Sequence, residues 1–149
     1  MSTAFYAGSF DPFTIGHFSI LERSLKLFDK IYIGIGVNIN KVGAEQDAAI
    51  RAEAIKSAVS MFGGKVEVLV YTGLTYIKAK EIGADYLLRG LRNNMDFLYE
   101  HQIADINRKM SGIETVFMMS LPEHESISSS IVRELQRYGA DISGFLPEK

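Results

Sequence analysis

Cysteine and tryptophan are absent from this 149-residue chain, and proline and histidine occur three times each. Without cysteine there is no disulfide framework, no thiolate metal site and no cysteine nucleophile, which fits a reducing compartment. A charge bias is also missing: 16 Lys and Arg stand against 18 Asp and Glu, for a formal net charge of -2 and a pI near 5.9. A general nucleic-acid or membrane-surface binder would carry a basic excess, so neither partner is expected and any anion site must be local. No apolar run approaches the roughly 18 residues of a membrane span, and the opening MSTAFYAGSFDP lacks a basic stretch leading into an apolar one. A cytoplasmic protein is the expectation. Linkers, repeats and low-complexity tracts are lacking too, so one domain over residues 1–149 is expected. At 47% hydrophobic, a domain of this size buries about 70% of its unfolded surface and needs no staple.

Short β-branched or aromatic runs alternate with longer stretches of helical period. The runs are Thr3 to Ala7, Ile31 to Val37, Val66 to Tyr71, Tyr86 to Arg89 and Glu114 to Met119. Between them Phe18, Leu21, Leu25 and Phe28 recur at i, i+3, i+7 and i+10, and Tyr99, Ile103, Ile106 and Met110 mark a second amphipathic helix. Further helices are expected from about Asp47 to Phe62, Thr75 to Ile82 and Ser129 to Tyr138. Strand-helix alternation of this kind predicts an α/β fold with a single doubly wound, five-stranded parallel sheet, and ligands then bind beyond the carboxyl ends of the strands.

The segments after those strands are rich in chemistry. GSFDPFTIGH contains Gly8 for close backbone approach, Pro12 in a turn, and Gly16 and His17 at a helix start, where unpaired N–H groups favour an anion. SISSSIVRE offers Ser128 or Ser129 as an N-cap with further hydroxyls beside it. Arg89 and Arg92 in RGLR place two guanidiniums directly after a strand, and Lys41 follows NIN. Each segment alone also reads as an ordinary turn, cap or solvated charge. Other signals are poorer: Gly34 and Gly36 lack the third glycine of a dinucleotide fingerprint and lie inside a strand, where small residues make room for packing. GGK at Gly63 to Lys65 leads into a strand, as a P-loop does not. The histidines have no close metal-ligand spacing. His101 with Asp105 at i+4 reads as a helix-surface pair.

In combination, the order and spacing of GSFDPFTIGH, NINK, RGLR with DFLYE, and ISSSIVRE resemble the phosphopantetheine adenylyltransferases over essentially the whole chain. TIGH and ISSS match the signatures of the wider nucleotidyltransferase superfamily, which implies a Rossmann-like nucleotidyltransferase fold. The resemblance implies adenylyl transfer from ATP to 4'-phosphopantetheine, giving dephospho-coenzyme A and pyrophosphate, with Mg2+ on the phosphates. It places Ser9, Phe10, His17, Arg92, Glu100 and Ser128, Ser129 and Ser130 on ATP. Ser9, Lys41, Leu74, Arg89 and Asn107 fall on phosphopantetheine, and His17, Lys41 and Arg92 in the catalytic set. Asp96 lies in a family motif where a structural role fits as well as a binding one. A homohexamer and coenzyme A as a feedback ligand are further implications. The chain departs from the family pattern at Ala7, where proline is usual, at Ser19, where aspartate is common, and at His124, where an aromatic usually stands. The loop after Lys41 also lacks the family's usual wording.

Charge arithmetic agrees with this assignment. ATP and a phosphomonoester together bring about six negative charges, so a chain of net charge -2 must concentrate cations. His17, Lys41, Arg89, Arg92 and two serine-capped helix starts are the expected means. The acceptor phosphate is already anionic near neutral pH, so no general base is needed. Two rivals remain: a related transferase with another acceptor, such as nicotinamide mononucleotide, or with CTP as donor; and a non-catalytic nucleotide- or coenzyme A-binding module.

Overall fold

A computed structural model of the chain describes residues 1–148. Five strands, β1 (Thr3–Gly8), β2 (Lys30–Gly36), β3 (Val66–Tyr71), β4 (Tyr86–Leu91) and β5 (Glu114–Met119), form one parallel sheet in the order β3-β2-β1-β4-β5. The helices are α1 (Ile15–Ser24), α2 (Ala44–Val59), α3 (Thr75–Glu81), α4 (Asn94–Ser111) and α5 (Ser129–Arg137), with short 3-10 turns at Ser60–Lys65, Pro122–His124 and Ser143–Phe145. The order reverses between β1 and β4, which puts the topological switch point at Gly8 and Leu91.

Successive residues of β1 face opposite sides, as strand geometry requires. Ala4 and Tyr6 join Ile31, Ile33, Ile35 and Leu88 under Ile20 and Leu21 of α1 and Ala48, Ala52 and Ile55 of α2. Phe5 and Ala7 face the other way, with Tyr71, Ala79, Leu87 and Ile113. Both faces of the strands are therefore buried. Fully burying one Ile or Leu is worth about 1.5–3 kcal/mol, so the first, isoleucine-rich face contributes most of the stability. Gly34 is the steric key to the second face: a Cβ there would lie 2.2 Å from the Phe5 ring, which packs edge-on against Tyr71 at 5.4 Å. Packing thus explains the in-strand glycine, as its position suggested.

Two helices differ from the periodicity. α1 stops at Ser24, and Leu25 to Phe28 continue as turns in which Leu27 and Phe28 both bond to the Ser24 carbonyl. Phe28 is nevertheless buried, so the apolar spacing outlasts the helix. α4 forms as expected, but Tyr99, Ile106 and Met110 are more than half exposed, and Glu100 is its buried residue. No helix among the described residues is long and apolar enough to cross a membrane.

Candidate active site

At the switch point the turn after β1 folds back on itself. Phe10 adopts a left-handed backbone (φ 47°) and turns its ring inward beneath Gly8, where a Cβ would come within 3.2 Å of it. Such a conformation in a bulky residue costs on the order of 1–3 kcal/mol and persists only where the surroundings hold it. Here Tyr6, Phe13 and His17 all pack on the ring at 5.0–5.5 Å.

α1 then begins with a reciprocal cap. The Thr14 hydroxyl accepts the His17 backbone N–H at 3.3 Å, and His17 Nδ1 accepts the Thr14 backbone N–H at 2.9 Å. A nitrogen that accepts a backbone N–H carries no proton, so the neutral ring holds its hydrogen on Nε2. Burial lowers the His17 pKa to about 4, with Arg89 and Arg92 adding to the effect. This helix start is capped by threonine, correcting the expected pair of serine caps.

The second helix start, α5, docks onto the same turn. Ser128 is its N-cap and accepts the Ile131 N–H at 3.2 Å. The Ser129 hydroxyl donates to the Pro12 carbonyl at 2.8 Å. Arg133 donates to the Asp11 carbonyl at 2.7 Å and to the Ser130 hydroxyl at 3.2 Å. A Cβ at Gly16 would sit 3.8 Å from His124 Cβ and 4.0 Å from the Ile127 carbonyl just before the Ser128 cap, so the α1 start packs closely on the segment leading into α5. The free N–H groups and dipoles of the two helix starts point into one space, an arrangement suited to an anion.

That space is a cavity of about 290 Å³. Of the expected ATP residues, Ser9, Phe10, His17, Arg92, Glu100, Ser128, Ser129 and Ser130 all line it. A second cavity, of about 220 Å³, lies between the other sheet face and α4 and is lined by Arg89, Asn107, Tyr99, Ile103, Thr115 and Thr75 among others. The Tyr71 and Thr75 hydroxyls bond to each other at 2.9 Å on its wall, and the Thr115 hydroxyl is buried there without a partner. Gly8, Arg89 and Glu100 line both cavities.

Arg89 is the wall between them. Its Nε donates to both Glu100 carboxylate oxygens at 2.9 and 3.1 Å, Nη2 donates to Oε1, and Nη1 donates to the Ala7 carbonyl. Three of five guanidinium hydrogens are thereby used, and two remain for a ligand. Glu100 is the buried counter-ion of Arg89 and also lines the first cavity, among the residues expected on ATP. Arg92 is held in a related way by Asp96, which accepts from Nη2 at 3.2 Å and from the Arg92 backbone N–H at 3.0 Å, with Nε in ion-pair contact at 3.1 Å. Asn93 caps α4 by accepting the Asp96 N–H, so Asp96 is fixed before it fixes Arg92.

Some expected residues stand apart. Lys41 is exposed on the loop after β2 and lines neither cavity; its backbone closes a turn onto the Asn38 carbonyl at 3.1 Å. Leu74, at the α3 N-cap, is exposed and lines neither, although Thr75 beside it lines the second. Ser9 is exposed at the first cavity, its carbonyl bound by Arg51 of α2 at 3.0 Å. His101 packs on Phe97 at 5.6 Å while Asp105 pairs with Arg108 and Lys109, so the expected surface pair with Asp105 does not form. At the three departures, Ala7 contributes its carbonyl, Ser19 is buried in α1, and His124 Nδ1 is buried without a partner. Arg133 and Thr14, which the sequence reading passed over, both line the first cavity. Their signals were available: a cation three residues after Ser130 in a new helix, and a Thr-x-x-His cap spacing.

A parallel sheet with paired helix N-termini and arginines at its switch point defines a nucleotidyltransferase-type domain. Residues 5–135 match the cytidylyltransferase-like family. A crystal structure from Vibrio parahaemolyticus, provisionally assigned as a nicotinate-nucleotide adenylyltransferase, shares the fold with a TM-score of 0.68 at 22% identity, over 99% of this chain and 95% of that one. Within this class the chain belongs to the phosphopantetheine adenylyltransferase family. It is 45% identical over 148 residues to the phosphopantetheine adenylyltransferase of Bacteroides thetaiotaomicron, covering 99% of this chain and 97% of that one. The enzyme of Phocaeicola vulgatus is similar to the same extent.

Proposed function

We propose that the protein transfers the adenylyl group of ATP to the phosphate of 4'-phosphopantetheine, releasing pyrophosphate. The observation that carries this reading is the pair of cavities sharing the Arg89 wall. The first has cations and helix N-termini for a triphosphate; the second is a narrow slot with scattered hydroxyl and amide groups for a thin, amide-bearing arm. Arg89 faces both with two unused N–H groups, which suits the point where acceptor phosphate and α-phosphorus meet. An oxygen of the acceptor phosphate attacks the α-phosphorus, the bond to the bridging oxygen breaks in line, and pyrophosphate leaves with that electron pair. No proton moves. His17 donates from Nε2 to an oxygen at that phosphorus, and Arg92 and Arg133 bind the departing phosphates. Lys41 is the further cation that the resemblance assigns to the acceptor phosphate.

Magnesium accompanies ATP in this proposal. Among the described residues no group of three or more His, Asp or Glu could hold it, and the nearby carboxylates of Glu100 and Asp96 are taken by arginines. The ATP phosphates are the ion's main ligands in this proposal. The exposed apolar side chains of α4, Met95, Leu98, Tyr99, Ile106 and Met110, favour burial against further copies of the chain, in line with the hexamer that the resemblance implies. A cytoplasmic location and coenzyme A as a competing ligand belong to the same reading. The deciding experiment is pyrophosphate release from ATP on adding phosphopantetheine, with nicotinamide mononucleotide and a CTP donor as controls. Turnover with either control alone, or ATP binding without turnover, would overturn the proposal.

A further inference from the structure

The geometry around His17 assigns a task to a residue that touches neither cavity. Phe13 is buried, and its ring lies parallel to the imidazole, 5.6 Å between centroids and 17° between planes. Phe10 closes the other side edge-on at 5.0 Å and Tyr6 at 6.5 Å. One edge of the imidazole is taken by the Thr14 backbone N–H on Nδ1 at 2.9 Å. Among the described residues Nε2 has no protein partner, and His17 lines the first cavity. We propose that Phe13 is a positioning residue that, with the Thr14 backbone, keeps the His17 imidazole uncharged and its single proton on Nε2, aimed at the phosphate site.

Three observations converge on this. Protonating Nδ1 would set it against the Thr14 backbone N–H, so the imidazolium loses that half of the cap as well as acquiring a charge, with only the Thr14 hydroxyl at 3.2 Å left to accept from Nδ1. Flipping the ring by half a turn would present carbon to the Thr14 N–H and lose that bond, and the Phe13 ring lies parallel to the imidazole along this orientation. Every charged group facing the ring is either cationic or already neutralised. Arg89 of β4 and Arg92 after it lie closest, Arg133 of α5 stands across the cavity, and the carboxylates of Glu100 and Asp96 on α4 are spent on Arg89 and Arg92. Tyr6 of β1 stays neutral, burial pushing its phenol well above the usual range. A donor that does not change charge can stabilise a phosphorus centre without delivering a proton to the leaving pyrophosphate, which as an anion needs none.

This rests on the adenylyl-transfer reading for its consequence but not for its existence, and the two are measured separately. Imidazole nitrogen and proton NMR on the ligand-free protein, with His17→Asn to assign the signal, reads tautomer and titration directly. In the wild type at pH 6 the expected state is neutral with the proton on Nε2. Phe13→Leu should raise the titration midpoint by at least half a unit and populate the Nδ1–H form. In the same variant kcat should fall five- to twentyfold with both KM values within about twofold, and Phe13→Tyr, which restores the ring, should recover most of it. A merely structural Phe13 would lower Tm and leave the His17 signal unmoved. An imidazolium or an Nδ1–H tautomer in the wild type at pH 6 overturns the proposal whether or not the variants fold, as does a folded Phe13→Leu whose His17 spectrum matches the wild type. If the spectra behave as expected but no acceptor supports turnover, the failure belongs to the functional reading and not to the lock.

Discussion

Replacing Glu100 by glutamine tests how the wall between the two cavities is held. The carboxylate is buried, only 8% exposed, and takes three guanidinium contacts, whereas Arg89 is 36% exposed. Removing one partner of a buried ion pair costs about 3–5 kcal/mol. Here Arg89 keeps the Ala7 carbonyl, one glutamine acceptor and access to water, so the lower figure for charge-assisted hydrogen bonds, about 2–3 kcal/mol, applies. For a chain of this length each kcal/mol moves the melting temperature by about 2–4 °C, so Glu100→Gln should melt about 4–12 °C lower. With its fork no longer aimed, Arg89 should bind the acceptor phosphate more weakly, and the phosphopantetheine KM should rise about tenfold while that for ATP changes little. Calorimetric melting and steady-state kinetics on both substrates check this. An unchanged melting temperature together with an unchanged acceptor KM would show that the Ala7 carbonyl alone positions Arg89, and the reasoning would fail. A cycle with Arg89→Met isolates the pair term, because the double variant leaves no stranded charge.

His17 makes stability depend on pH. Its folded-state pKa near 4 lies below the ordinary 6.5, so between these values the unfolded chain binds the extra proton. This contribution is intact above about 6.5 and lost as pH falls toward 4, by up to roughly 3 kcal/mol, and denaturant titrations of His17→Asn should lack that slope. Gly34→Ala puts a methyl where the Phe5 ring lies and should destabilise by about 1–3 kcal/mol or prevent folding, while Gly64→Ala, with nothing within 4 Å, should be mild. A direct displacement inverts configuration at the α-phosphorus, so ATP made chiral there by sulfur should give inverted product; net retention would indicate an adenylyl-His17 intermediate.

The strands were legible because each combines β-branched or aromatic residues with a polar or glycine stop, and the observed ends differ from those expected by at most two residues. Helix periodicity was a weaker guide. It reports an apolar stripe and not what covers it: the Phe18 to Phe28 spacing survives in a chain that has left the helix at Ser24, and the α4 stripe faces outward. At the site, motif residues next to one another in sequence were found readily, since a helix start and its cap lie within four positions. The Arg89–Glu100 pair spans 11 residues and joins a strand to the buried position of a helix, a relation no local pattern encodes. Arg133 was overlooked for a related reason: its importance comes from the Asp11 carbonyl, 122 residues away in the chain.

The inward-turned Phe10 ring sets a clearance. Gly8 belongs to both cavities and rests on that ring, with 3.2 Å between the ring and the Cβ that Gly8 lacks. The threshold between donor and acceptor chambers is therefore a strip of bare backbone propped from below by an aromatic plate, and its height is set by a residue whose own backbone is held in an unfavourable conformation. A smaller prop would let the threshold sag and widen the gap across which a phosphate oxygen must reach phosphorus. A side chain on Gly8 would need the prop to yield. Reach between the substrates is thus governed from within the core, beneath the surface that either of them touches.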